Sequence, residues 1–131
     1  MENDAPVVPV SWGELIDKIT ILEIKSRKLK AEAALTNVRK EMASLTEIVA
    51  RDAPRRGDVT DLRDRLTKVN EELWAIEDRI REKEAAKTFD AEFIALARSV
   101  YLRNDERSRI KREINVRLSS SLVEEKSYSA Y

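Results

Sequence analysis

The run SWGELIDKITILEIK, residues 11–25, interleaves charged with apolar side chains more closely than any other part of this chain. Leu15, Ile16, Ile19, Ile21, Leu22 and Ile24 cover more than one face of a helix, so the helix carrying them must be surrounded on several sides. Such enclosure draws Glu14, Asp17 and Lys18 toward buried positions, where a charge needs a partner or a ligand. Structural pairing is the favoured reading for Asp17 and Lys18. Glu14 and Lys18 also stand at the i,i+4 spacing of an exposed ion pair, worth only ~0.3–0.5 kcal/mol. A second concentration of charge lies further on: Arg98, Arg103, Arg107, Arg109, Lys111, Arg112 and Arg117 stand against only Asp105, Glu106 and Glu113. A local cationic excess of this kind suits a small anionic ligand even at zero net charge. Arg98, Tyr101 and Asp105 share one helix face there, and Asn104 interrupts an apolar stripe, where an amide commonly fixes register.

The chemistry these residues can support is narrow. The chain has no histidine and no cysteine, which removes the usual neutral-pH acid/base, the thiol nucleophile and the commonest soft metal ligands. Carboxylates on two helices could bracket a pair of metals, but that design also draws on Glu-x-x-His, so neither a metal nor any other cofactor is expected. Lys plus Arg and Asp plus Glu both number 25, so net charge attracts neither phosphate backbone nor anionic lipid. The arginines at 51, 55 and 56 make too short a cluster to bind nucleic acid. The first ten residues lack a basic region followed by a long apolar segment, and no later window approaches a membrane span. A cytoplasmic protein is expected.

The elements that must position these groups are helical. At 131 residues the chain suits one domain, and its ample aliphatics, 5% aromatics, 2 glycines and 3 prolines suit long helices. Residues 1–10, with Pro6 and Pro9, read as an extended arm. Ser11 then caps a helix, with Glu14 completing a capping box and Val10 and Leu15 a hydrophobic staple. The stripe of Leu15, Ile19, Leu22 and Leu29 is out of phase with that of Leu35, Val38, Met42, Leu45 and Val49. One helix over residues 11–51, kinked within 33–37, accommodates the shift; a new helix from Thr36 or Asn37 is the alternative. Residues 52–57, with Pro54 and Gly57, form the turn. A second helix over 58–87, capped by Asp58, carries Val59, Leu62, Leu66, Val69, Leu73, Ile76 and Ile80, with Trp74 beside the seam. A third follows over 90–118, and residues 119–131 form a tail that either caps the fold or frays. The expected fold is all-α: a long antiparallel helical hairpin plus a third long helix, forming a three-helix coiled-coil-like bundle.

Taken together, SWGELIDKITILEIK, VNEELWAIEDRIREKEAAKTFDAEFIALARSVYLRND, IKREIN and the terminal EEKSY resemble a family of small bacterial proteins of unknown function. That resemblance implies a shared site at Glu14, Asp17 and Lys18 on the first helix, Arg81 and Lys83 on the second, and Arg98, Tyr101 and Asn104 on the third. A second resemblance is to the all-helical chorismate mutases, through Ile16-Asp17 with Arg27, through Asp78, Arg81 and Glu82, and through FDAEFIALARSV. It implies an anion-binding enzyme or sensor in which Arg27, Arg81 and Arg98 grip carboxylates, beside Glu82. This chain departs from that family in lacking an early first-helix arginine and in having a much longer hairpin. An apolar excess without catalytic residue types best suits a non-catalytic helical interaction module, engaging a protein partner or itself as a homodimer.

Overall fold

A computed structural model describes residues 4–131, and these fold into four helices. They are α1 (Trp12–Lys28), α2 (Glu32–Asp52), α3 (Thr60–Ala85) and α4 (Ala91–Arg117), with a single 3-10 turn at Ala53–Arg55. No strand occurs among the described residues. Ser11 caps α1 as expected, its hydroxyl accepting from the Glu14 amide at 3.1 Å. The reciprocal half of the capping box is not formed, because the Glu14 carboxylate accepts from Lys111 instead.

The first long helix is broken. Leu29 and Ala31 adopt extended backbone, with ψ of 145° and 127°, so the chain reverses at residues 29–31 rather than kinking at 33–37. Neither glycine, proline nor a capping side chain marks the break. Packing accounts for it: Leu35 and Val38 are buried, and the reversal lays α2 back along α1, where Glu41 meets Lys18 at 3.4 Å. The two stripes are out of phase because they belong to two helices.

The pairing of helices also differs from expectation. α2 packs on α1 and the 3-10 turn, and no Cα of α2 comes within 8 Å of α3. The antiparallel partner of α3 is α4, joined through residues 86–90, where Lys87 takes a left-handed φ of 54°. Equal seam spacing made α2 and α3 look like partners, but spacing does not specify which seams meet. The core lies where α1 crosses the α3–α4 hairpin: Ile16, Val59, Leu62, Leu66, Val69, Ile110, Ile114 and Leu118, with Trp12, Val49 and Leu73 around it. Arg56 closes that end, its guanidinium 5.2 Å from the Trp12 ring centre and donating to the Leu118 carbonyl at 3.0 Å.

Because α1 has 17 residues against 26 and 27 in α3 and α4, it covers only one half of the hairpin. Beyond it, over residues 71–109, Lys83 is the one buried side chain. Among the described residues no helix is long and apolar enough to cross a membrane.

Candidate functional site

Asp17 is 1% exposed, on the face of α1 that meets both α3 and α4. A carboxylate so placed must be saturated with donors, and it is. Arg107 of α4 gives it a two-point contact, Nε to Oδ1 at 2.9 Å and Nη2 to Oδ2 at 2.5 Å. The Asn70 amide of α3 donates to Asp17 Oδ1 and to Thr20 Oγ1, each at 2.9 Å, and the Thr20 hydroxyl donates to the Asp17 carbonyl. The hydrogen bond from Arg107 to Asp17 raises the arginine's pKa above its ordinary value despite opposing desolvation. Asn104, one turn earlier on α4, accepts from Arg107 Nη1 at 3.4 Å.

One turn further along α4 the contact continues. Lys111 is 7% exposed, and its ammonium donates to Glu14 at 2.7 Å and to Glu124 of the tail at 3.0 Å. Burial opposes its charge most strongly, yet those two hydrogen bonds together with the nearby charges of Asp17 and Glu14 outweigh it and hold its pKa above the usual lysine value. Another turn on, the Asn115 side chain accepts from the Gly13 amide at 2.6 Å. Gly13 is required by proximity: a Cβ there would lie 2.4 Å from the Lys111 carbonyl oxygen. Asn115, Lys111 and Arg107 thus form one ladder on α4, reading Gly13, Glu14 and Asp17 on α1.

The tail belongs to this junction. It leaves α4 through Ser119, at φ 53°, and runs back along the helix without regular structure. Ser120 accepts from the Trp12 amide at 3.2 Å, Glu125 meets Arg112 at 3.3 Å, and the Tyr131 hydroxyl donates to Asp105. The Tyr131 ring stands edge-on to Tyr101, centroids 4.7 Å apart. Between tail and helix lies a cleft of about 150 Å³ lined by charged and polar side chains, among them Arg109, Lys111, Arg112 and Glu124.

Of the residues singled out in the sequence, Glu14, Asp17, Asn104 and Tyr101 thus lie along this α1–α4–tail junction. Arg107, Arg109, Lys111 and Arg112 of the basic strip lie there too, and the remaining candidates do not. Lys18 is exposed and pairs with Glu41 of α2, not with Glu14. Lys83 is buried and grips Asp90, the residue that caps α4, at 2.8 and 2.9 Å. Arg81 is exposed beside Glu77, Glu82 meets Arg79, and Arg98 is exposed with no ion pair among the described residues. Arg27 meets Glu71 at 2.8 Å, and Glu71 lies ten residues, about 15 Å, along α3 from Arg81. Arg27, Arg81 and Arg98 therefore do not gather around one pocket within the protomer. Asn70 and Asn115 were not anticipated, although each follows a seam residue, Val69 and Ile114, where an amide breaks the apolar pattern. Among the described residues no group of His, Cys, Asp or Glu side chains is placed to hold a metal.

Comparison with curated proteins and with solved structures yields no match. A family model does match, over residues 7–131, which takes in every helix and the tail. The chain belongs to that family of unknown function, DUF6165.

Proposed function

We propose that this chain is a non-catalytic helical interaction module, and that its distal α3–α4 hairpin pairs with the same hairpin of a second copy. One observation carries the reading: the two flanks of that hairpin are finished differently. On one flank Glu72 meets Arg103, Arg79 meets Glu92 and Lys83 meets Asp90, so the helices are tied together by charge. Helical spacing puts Trp74, Asp78 and Arg81 of α3, and Ile94, Arg98 and Tyr101 of α4, on the other flank. Asn70 lies one turn before Trp74 and touches α1, so this flank continues the face that α1 covers in the body of the molecule. Past α1 the tail reaches it only at Tyr101, against which Tyr131 stands, while Ile94 is 57% exposed and Trp74 is only partly screened.

Charge supports a second copy as the occupant. Asp78 and Arg98 are exposed with no ion pair among the described residues. In a twofold arrangement setting α3 against the second copy's α4, each lies within about a helical turn of its opposite number. The face measures about 18 Å by 20 Å, at the low end for protein interfaces, so association should be a concentration-dependent equilibrium, not a permanent one. The test is charge reversal read by sedimentation equilibrium. Asp78→Arg or Arg98→Asp alone weakens dimerisation about tenfold, and the double variant recovers it. Singles that dimerise like the parent, or a double as weak as either, remove the proposed pairing.

A further inference from the structure

We propose that the cleft between α4 and the returning tail is a binding site for a small doubly charged oxyanion, of the phosphate or phosphate-monoester class. The cleft holds about 150 Å³, room for roughly five waters or one phosphate group. Four cations line it, Arg109, Lys111, Arg112 and Lys126, facing the tail's Glu124 and Glu125. Glu14 approaches Lys111 from the α1 side, so the cationic excess survives even when that carboxylate is counted.

These cations are not equally committed. Lys111 is held by Glu14 and Glu124, and Lys126 meets Glu124 at 3.4 Å. Arg112 holds Glu125 only through two contacts of 3.3 Å, and the Glu125 side chain is 74% exposed. Arg109 has no hydrogen bond or ion pair among the described residues, and neither has the Ser108 hydroxyl beside it. A guanidinium and a hydroxyl without hydrogen-bond partners among the described residues therefore border the cleft, next to a second guanidinium whose carboxylate is loosely held. Two guanidinium forks and a hydroxyl are the groups that recognise a phosphate with geometric selectivity. The bound anion takes Arg109 and Ser108 and displaces Glu125 from Arg112, while Glu124 keeps the tail anchored on Lys111.

Displacement gives the proposal a signature that general charge attraction lacks. Isothermal titration of the full chain at fixed ionic strength, with inorganic phosphate and separately with glycerol 3-phosphate, reads it directly. Saturable binding of one or both is expected; tighter binding of the ester identifies a phosphate carried on a larger molecule, and tighter inorganic phosphate identifies the free ion. Arg109→Gln weakens binding about tenfold or more. Glu125→Gln tightens it, because a competing carboxylate is gone. Arg39→Gln, at an exposed cation of α2 outside the cleft, leaves it unchanged. No saturable heat below ~10 mM of either probe, equal weakening by Arg39→Gln and Arg109→Gln, or weaker binding in Glu125→Gln would each overturn the assignment.

Discussion

Asp17 and Arg107, 90 residues apart in sequence, join the first helix to the last through two near-parallel hydrogen bonds of 2.9 and 2.5 Å. The carboxylate is buried while the guanidinium is 27% exposed, so the two partners are not equivalent. Removing Asp17 leaves a half-buried cation and the Asn70 amide without their acceptor, whereas removing Arg107 leaves a fully buried carboxylate. Loss of either partner of a buried pair costs about 3–5 kcal/mol, and the exposure of Arg107 places Asp17→Ala at the lower end, near 3 kcal/mol. Urea denaturation measures it. A loss under ~1 kcal/mol would mean that the pair contributes no more than a surface bridge.

Gly13 tests how closely α1 lies on α4. Gly13→Ala places a methyl group 2.4 Å from the Lys111 carbonyl oxygen, a backbone atom that cannot swing aside. Helix propensity favours alanine by about 1 kcal/mol, but overpacking costs roughly 1–3 kcal/mol and should prevail. Net destabilisation is expected in thermal melts, and stabilisation would show that the helices stand further apart.

Lys83 is the one buried side chain of the distal hairpin, and it holds the residue that caps α4. Asp90→Ala removes both the cap to the Phe93 amide and the lysine's partner, so it should cost more than the ~1 kcal/mol of an isolated cap. Asp90→Asn retains much of the cap and separates the two contributions. Equal losses in the two variants would assign the whole effect to the ion pair.

Acidity should free the tail. The hydrogen bond from Lys111 holds the Glu124 carboxyl below its ordinary pKa, burial opposing it. A depressed folded-state pKa contributes stability that is complete above the unfolded value and lost as pH falls through the folded one. Lys111 has its pKa raised, so its share is present below the ordinary lysine value and lost only as pH rises through the raised one. Nuclear-spin relaxation of the backbone amides of residues 121–128 should therefore report an ordered tail near neutrality and a mobile one below about pH 4. Glu124→Gln should flatten that dependence, and an unchanged profile in the variant would place the trigger elsewhere.

The start of α1 was legible because a serine cap is local chemistry, decided within four residues. The seam of α3 was legible because its period does not change along its length. What escaped depended on contacts between distant segments. The break at Leu29 has no glycine or proline, and it exists because Leu35 and Val38 find burial against α1. The partner of α3 is set by α4 and its Lys83–Asp90 clasp, and the seam of α2 gives no sign of this. For the site, the enclosure of Asp17 followed from the many-sided apolar helix around it, but its donors did not. Arg107 looked like one member of a basic strip until the fold brought α4 beside α1. Gly13 carried a signal that local reading passes over, a glycine in the first turn of a well-capped helix where alanine would serve better unless space forbids it.

In the proposed dimer, the flank bearing Trp74 and Ile94 meets a second copy of the chain. Sedimentation equilibrium of the full chain over a hundredfold range of concentration tests it most directly, with Trp74→Glu and Ile94→Glu compared under the same conditions. Dimer mass at the high end, falling toward 15.1 kDa on dilution, is predicted for the parent. Monomer throughout is predicted for both variants, with their helical circular dichroism unchanged. A parent that remains at 15.1 kDa across the whole range, or variants that dimerise as the parent does, would contradict it.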